Sequence, residues 1–243
     1  MIAAPATAAR TPSRSVSRTH PGRRRSVNED RVLERPQNGF WAIADGMGGH
    51  SRGDVAATRL VEALGAVRHG DSGFSRVADV AAAVERVNAE LYDEAQGAMG
   101  ATLVALLLHE GHCACLWAGD SRAYRLRDGA LQPLTRDHSH VQELIDAGAL
   151  SESARRGHPH AHLITRAVGA GSQIQLERRF DEVRPDDVFL LCSDGLTTCL
   201  DPSALMDLLD PSDLDGSADA LLSEALDQGA SDNVSLILAA PQG

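Results

Sequence analysis

Apolar residues recur along the chain with two different spacings, which separate predicted strands from predicted helices. Continuous apolar runs, as at residues 40–44 and 188–192, predict strands that are buried on both faces. The pairs Glu110-Gly111 and Asp128-Gly129 lie between predicted strands, which alternate with polar residues in the second case, and predict two-residue hairpin turns. Strands are thus predicted at residues 15–20, 31–35, 40–44, 101–109, 112–118, 124–127, 131–134, 174–180, 188–192 and 234–239.

Apolar residues at every third or fourth position predict helices, which occur in pairs between the groups of strands. In the first pair, one helix is capped by Ser51 or Asp54 and reaches about residue 67, and the other covers residues 75–95. The second pair, at residues 202–209 and 217–227, precedes the last strand. This order favours an α+β fold, namely a four-layer α-β-β-α sandwich of two mainly antiparallel sheets flanked by helix pairs.

The chain length of 243 residues suits a single domain, which we expect to occupy residues 15–243. Residues 1–14 contain Pro5 and Pro12 and are expected to form a disordered tail. The acid-free composition of residues 1–28 also resembles a transit peptide. Residues 137–165 are a polar insertion between strands, which is typical of a flap beside a binding site.

Composition limits the classes of function that the chain can have. It carries 34 acidic and 23 basic residues, for a formal charge of -11, and every basic residue is an arginine. The absence of lysine excludes a P-loop lysine, a Schiff base and a lysine nucleophile. The acidic balance disfavours nucleic acid as a partner. No apolar run reaches the ~18 residues of a membrane span, and no heptad repeat stands out. We therefore expect a cytoplasmic, monomeric protein that does not bind membranes.

Carboxylates stand at the ends of several predicted strands. Three apolar runs end in an aspartate, one run follows an aspartate, and an acidic pair precedes a further strand. A carboxylate at the end of a buried strand costs free energy unless a positive charge lies beside it. The repetition therefore predicts a shared cation site. The residues are Asp45, Asp120 and Asp194 after the runs, Asp232 before the last strand, and Glu29 with Asp30.

Ligands that are all oxygen atoms favour a hard cation, Mg²⁺ or Mn²⁺. Two such ions about 3.5–4 Å apart can bind a bridging hydroxide that attacks a phosphorus centre in line. The glycine after Asp45 would let a backbone carbonyl approach one ion as well. The predicted assignment is Asp45 as the bridging ligand, Asp194 and Asp232 completing one ion, and Glu29 with Asp30 holding the other, directly or through water.

A phosphate ester also needs a group that orients it. Arg25 lies four residues before Glu29, and a guanidinium group can bind two phosphate oxygens at once. The alternative is that Arg25 is one more solvated arginine in the run 23–25.

Alternating histidines in the insertion could bind zinc. In a loop that contains proline, such histidines are more often surface residues, which is the interpretation that we favour. They are His158, His160 and His162.

Seven short motifs follow one another along the chain. In order, they are Arg25-Ser-Val-Asn-Glu-Asp30, Asp45-Gly-Met-Gly-Gly-His50, Gly119-Asp-Ser-Arg122, Leu134-Thr-Arg-Asp-His-Ser139, Ile164-Thr-Arg-Ala-Val-Gly169, Ser193-Asp-Gly-Leu196 and Ser231-Asp-Asn233. Each motif alone is weak, but together they resemble the metal-dependent, type 2C Ser/Thr protein phosphatases, particularly the compact bacterial form. The resemblance covers about residues 15–240.

The resemblance implies a β-sandwich flanked by helix pairs, with a manganese or magnesium centre at its edge and a flap that influences substrate choice. It also implies a role for each site residue. Asp45 would bridge two catalytic ions, with the Gly46 carbonyl on one and Asp194 and Asp232 on the other. Glu29 and Asp30 would complete the site, and Asp120 with Asp194 would bind a third ion. Arg25 would bind the phosphate.

One position departs from the pattern of many eukaryotic relatives, which place a histidine, proposed as a general acid, where this chain has Met47. His50 lies three residues further on and need not replace it. We therefore assign no general acid.

The expected function is the hydrolysis of phosphoserine and phosphothreonine in proteins by a metal-bridging hydroxide, opposing a bacterial Ser/Thr kinase. One alternative is a catalytically silent pseudophosphatase that binds a partner; the presence of all the core aspartates disfavours it. Another is a phosphoesterase for small phosphorylated molecules. The chain has only eight aromatic residues (four Phe, two Tyr and two Trp) with which a base could stack, and this disfavours a nucleotide substrate.

Overall fold

Two antiparallel sheets pack face to face in the computed structural model, which describes residues 13–48, 52–67, 73–155 and 157–241. The strands are β1 (Ser13–His20), β2 (Asp30–Arg35), β3 (Phe40–Met47), β4 (Gly100–Ala101), β5 (Leu103–His109), β6 (His112–Ala118), β7 (Arg122–Arg127), β8 (Ala130–Pro133), β9 (Glu177–Glu182), β10 (Val188–Cys192) and β11 (Val234–Pro241). The five-stranded sheet has the order β1-β11-β10-β7-β8. The six-stranded sheet has the order β2-β3-β5-β6-β9, with β4 paired to β3.

Helices cover the outer face of each sheet. The helices are α1 (Gly53–Ala66), α2 (Gly73–Ala95), α3 (His140–Asp146), α4 (Asp194–Cys199), α5 (Pro202–Asp207) and α6 (Leu214–Asp227), with 3-10 turns at Pro36–Asn38 and Glu152–Ala154. Helices α1 and α2 pack on the six-stranded sheet, whereas α4, α5 and α6 pack on the other. Among the described residues, no helix combines the length and the apolar character that crossing a membrane requires.

The continuous apolar runs reflect strands that are buried on both faces. Along β3, Trp41 and Ile43 point into the core between the two sheets, whereas Phe40 and Ala42 point towards α1 and α2. In a strand successive side chains alternate between faces, so a strand between two apolar layers needs apolar residues at every position. The predicted four-layer α-β-β-α architecture is confirmed.

The first two strands lie in different sheets. β1 pairs with β11, whereas β2 pairs with β3. The basic segment of residues 21–29 therefore crosses from one sheet to the other rather than forming a hairpin. This crossing brings Arg25 to the sheet edge at which β2 begins.

Several boundaries differ from the prediction. β3 continues beyond residue 44, where the predicted strand ends, and its Gly46 and Met47 pair with Ala101 and Gly100 of β4. Helix α1 begins at Gly53, and Arg52 at its N-cap position makes no side-chain capping bond. The alternative cap Ser51 lies outside the described residues, as does His50.

Two strands also begin at positions other than those predicted, one near the start of the chain and one in the six-stranded sheet. β1 begins at Ser13 rather than at Ser15, and residues 1–12 of the predicted tail lie outside the described part of the chain. β9 covers Glu177–Glu182 rather than residues 174–180, because Ile174 and Leu176 pack against the core beneath α1 and α2 before the strand starts.

The core between the sheets should dominate stability. Phe189 is fully buried there, whereas Phe180 on the edge strand β9 is 55% exposed. We expect Phe189→Ala to lower the free energy of unfolding by about 3–5 kcal/mol, because it removes buried area and leaves a cavity. Phe180→Ala should cost less than about 1 kcal/mol. Urea unfolding of both variants measures the difference, and equal losses would contradict this layer assignment.

Candidate metal centre

Two aspartates face each other across the first strand pair of the six-stranded sheet. The register of β2 and β3 pairs Asp30 with Asp45. Asp30 is only 3% exposed, and Asp45 is half-buried at the end of the apolar run. Like charges directly opposite each other in a sheet are destabilising. The strand pairing alone therefore places a charge conflict at this edge.

Three further aspartates converge on the same edge. Asp120 follows β6, Asp194 follows β10 and begins α4, and Asp232 precedes β11. Burial raises the pKa of Asp45 well above its ordinary value, and the negative charges of the four other aspartates raise it further. The structure thus brings together five carboxylates that lie far apart in the sequence.

The neighbouring carboxyls show the same effect. Burial is the largest cause that raises the pKa of Asp30 and of Asp194, in each case to about 6, and nearby aspartates add to it. For Asp194, the charge of His162 in the insertion opposes this rise. Burial and then the charge of Asp194 raise the pKa of Asp120. Without positive charge beside them, these groups hold protons more tightly than ordinary carboxyls.

Among the residues that the structure describes, no hydrogen-bond partner is found for two buried carboxylate oxygens. Oδ2 of Asp30 accepts a hydrogen bond of 2.8 Å from the Ser193 hydroxyl, but Oδ1 of Asp30 accepts none. Oδ1 of Asp120 is also buried without a partner. An unpaired buried carboxylate oxygen is costly, and a cation beside each of these oxygens would offset that cost.

The side chains do not form a closed set of ligands by themselves. Within the described ranges, no group of three or more His, Cys, Asp or Glu side chains is arranged so that it could hold a metal ion. Mg²⁺ and similar hard cations keep several waters and use only one or two carboxylates directly. The all-oxygen donors and the two unpaired oxygens fit such a water-rich divalent site.

Arg25 provides a positive charge at the rim of this cluster. Its guanidinium donates a 2.8 Å hydrogen bond to Asp232, and both side chains are substantially exposed, 54% for Arg25 and 40% for Asp232. Glu29 and Asp194 are also near enough for their charges to affect Arg25. A half-exposed guanidinium beside the carboxylates can contact a phosphate that arrives from solvent.

Residues 137–165 form an insertion that is closed at its base. Ser139 and Ile164 form an antiparallel bridge, and the backbone N–H of Thr165 donates to the carbonyl of His138. Inside the insertion, Asp137 accepts hydrogen bonds from Arg122 of β7 and from Arg155. This shared carboxylate fixes the insertion to the five-stranded sheet.

The residue pattern and the fold agree with those of a known family. The model of the protein phosphatase 2C family matches residues 19–238. The chain belongs to this family. The serine/threonine protein phosphatase PstP of Mycobacterium tuberculosis is 34% identical over 232 residues, which are 93% of this chain and 44% of PstP. The serine/threonine phosphatase stp of Listeria monocytogenes is 32% identical over 91% of this chain and 93% of its own length.

Solved 2C-type structures superimpose closely on the chain. PppA, described as a key regulatory component of T6SS in Pseudomonas aeruginosa, has a TM-score of 0.88 and 39% identity, and the match covers 96% of this chain and 99% of PppA. The catalytic domain of PstP in complex with two manganese ions has a TM-score of 0.85 and 32% identity, over 95% of this chain and 99% of that domain. The resemblance to type 2C phosphatases and the fold are therefore confirmed.

The sequence predicted the carboxylates of this cluster but not the neighbouring residue that connects them to the segment of Arg25. Asp30, Asp45, Asp120, Asp194 and Asp232 lie together, whereas their individual metal roles stay predictions. That neighbouring residue is Asn233, to which the sequence analysis assigns no role. It is 5% exposed, and its side chain forms hydrogen bonds with three backbone groups. Its position directly after Asp232 was the available signal.

The raised pKa values predict an unusual pH dependence. A carboxyl whose folded-state pKa is raised stabilises the fold most below its unfolded pKa of about 4, and this contribution is lost as the pH rises through about 6. With chelator present, wild type should therefore lose about 1–3 kcal/mol relative to Asp194→Asn between about pH 4 and pH 7.5. Urea unfolding at both pH values measures this change.

Mn²⁺ supplies the matching control for that experiment. At neutral pH it should stabilise wild type more than Asp194→Asn, because an ion binds only a folded site that retains its charge. A wild-type stability that stays constant or rises relative to the variant as the pH increases would contradict the charge conflict described above.

Proposed function

We propose that this chain hydrolyses phosphoserine and phosphothreonine in proteins with the help of divalent metal ions. The observation that carries the proposal is the group of five carboxylates at one sheet edge, two of them with an unpaired buried oxygen, beside an exposed arginine. Membership of the 2C family and the similarity to named Ser/Thr phosphatases support it.

The proposed ligand set follows the positions of the residues. Asp45 is the carboxyl whose pKa is raised by the charges of all four other aspartates. We assign to it the bridging position between two ions, with the Gly46 carbonyl beside it. The remaining assignments are Asp194 and Asp232 on one ion, Asp30 and Glu29 on the other, directly or through water, and Asp120 with Asp194 on a third.

When bound, such ions neutralise charge on phosphoryl oxygens and bring the pKa of water towards neutrality. The protein's own residues would position the reactants. Arg25 would bind the phosphate oxygens and leave Asp232 to the metal. Ser193 would hold Asp30 in place through its 2.8 Å hydrogen bond. No residue is assigned as general acid, since Met47 cannot donate a proton.

Several finer points belong to the same proposal. Mn²⁺ is the favoured ion because the PstP catalytic domain was solved with two manganese ions; Mg²⁺ is the alternative. The physiological substrates would be targets of a bacterial Ser/Thr kinase, and the kinase itself. We propose that the catalytic domain starts with β1, acts in the cytoplasm as a monomer, and uses residues 137–165 as a flap that affects substrate choice.

Hydrolysis of a phosphothreonine peptide tests the proposal. Wild type should be active with Mn²⁺ and inactive with chelator. Asp45→Asn should reduce kcat by at least about 100-fold, because losing a direct ligand should cost at least as much as losing an outer-shell partner. Asp128→Asn is the matched control, since this exposed aspartate lies in the β7–β8 hairpin turn. It should retain wild-type activity.

The same assay separates the alternatives. A folded protein that binds Mn²⁺ but hydrolyses no phosphopeptide would contradict the proposal and support a partner-binding pseudophosphatase. A higher kcat/KM on nucleotides or other small phosphate esters than on phosphopeptides would support a small-molecule phosphoesterase instead.

A further inference from the structure

The side chain of Asn233 binds both ends of the segment that crosses between the sheets. Its Oδ1 accepts a 2.8 Å hydrogen bond from the backbone N–H of Glu29. Its Nδ2 donates bonds of 3.0 Å to the carbonyls of Pro21 and Val27. Asn233 is 5% exposed, so these three bonds use both polar atoms of a buried amide. The partners bracket residues 21–29.

Other contacts also hold this crossing segment, whose residues 21–29 contain no helix or strand. At its start, the backbone N–H of Arg23 donates a 2.8 Å bond to the carbonyl of Ala230, and a Cβ on Gly22 would lie 2.0 Å from the carbonyl oxygen of Asp232. At its end, the carbonyl of Glu29 accepts a 3.3 Å bond from the backbone N–H of Gly46, and the carbonyl of Asn28 accepts a 2.8 Å bond from the Arg31 guanidinium. The side chain of Asn233 adds bonds at both ends.

Arg25 cannot hold this arrangement by itself. Its side chain is 54% exposed and its hydrogen bond goes to Asp232, which is 40% exposed. Exposed ion pairs contribute little to stability. The position of the guanidinium thus depends on the backbone of the segment, which Asn233 binds on both sides of Arg25.

Asn233 is itself held against the carboxylate cluster. It follows Asp232 directly, and a Cβ on Gly195 would lie 1.9 Å from the Asn233 carbonyl oxygen. The backbone after Asp194 is thus in close contact with the backbone of Asn233. One asparagine connects the segment that carries Arg25 to two of the carboxylates.

We propose that Asn233 is a positioning residue that holds Arg25 at the correct distance from the carboxylates to meet the phosphate. This inference rests on the proposed phosphatase function. A purely structural role would predict lower stability after substitution without any selective effect on phosphate binding. A positioning role predicts instead that Asn233 and Arg25 act as one unit.

A double-mutant cycle with a phosphothreonine peptide and Mn²⁺ distinguishes these roles. Arg25→Ala and Asn233→Ala should each raise KM about tenfold or more, because a charged hydrogen bond to phosphate is lost or misplaced. The KM of the double variant should be within about twofold of that of Arg25→Ala. Once the guanidinium is removed, the loss of Asn233 can no longer misplace it. Calorimetric binding of inorganic phosphate to the Mn²⁺-loaded variants should follow the same pattern without turnover.

Asn88 offers a matched control elsewhere in the fold. It is 1% exposed and also bridges backbone groups, accepting from the N–H of Gly169 and donating to the carbonyl of Gly171. Asn88→Ala should lower Tm and leave KM and phosphate affinity unchanged. If Asn233→Ala does not fold, Asn233→Ser, whose hydroxyl can keep one bond, should show a smaller rise in KM in the same cycle.

Three results would overturn the inference. The first is that the Arg25 and Asn233 substitutions raise KM independently, so that their effects multiply in the double variant. The second is an Asn233 variant that loses stability without a change in KM or phosphate affinity. The third is an Asn88 variant that raises KM as much as the Asn233 variant does. Wild type that hydrolyses no phosphopeptide would instead contradict the proposed function, and the cycle is then read from phosphate binding alone.

Discussion

Repulsion between carboxylates at one sheet edge is the constraint on which the site depends. The strand register sets Asp30 opposite Asp45, and the ends of three other strands add Asp120, Asp194 and Asp232. Protein groups leave two of the buried oxygens unpaired. A fold that concentrates negative charge in this way is more stable when cations or protons neutralise it.

The sandwich makes this concentration of charge possible. Its three apolar layers pack the strands on both faces, which opposes any separation of the strand ends that would relieve the repulsion. The carboxylates lie on strands of one sheet or next to the ends of strands of both sheets, and residues 21–29 connect the sheets beside them. Asn233 fixes this connection at three backbone groups. Arg25 and the aspartates can therefore share one frame although the aspartates come from separate sheets.

The sequence predicts those site residues that lie within a recognisable local pattern of neighbouring residues. Asp45 and Asp194 were identified because each ends an apolar run, and the strand and helix types followed from the spacing of apolar positions. The separation of β1 and β2 into two sheets was not predicted, because pairing partners more than 200 residues away in the chain leave no local pattern. The role of Asn233 was missed for the same reason, since its hydrogen-bond partners are also about 200 residues away.

The most direct test of the carboxylate centre is a crystal structure of the Mn²⁺-soaked protein with anomalous diffraction data. The account predicts strong anomalous peaks between Asp45 and its four neighbouring aspartates, with Asp45 in contact with two of the ions. Manganese bound only elsewhere, for example at the histidines of residues 158–162, with no peak at Asp45, would contradict it.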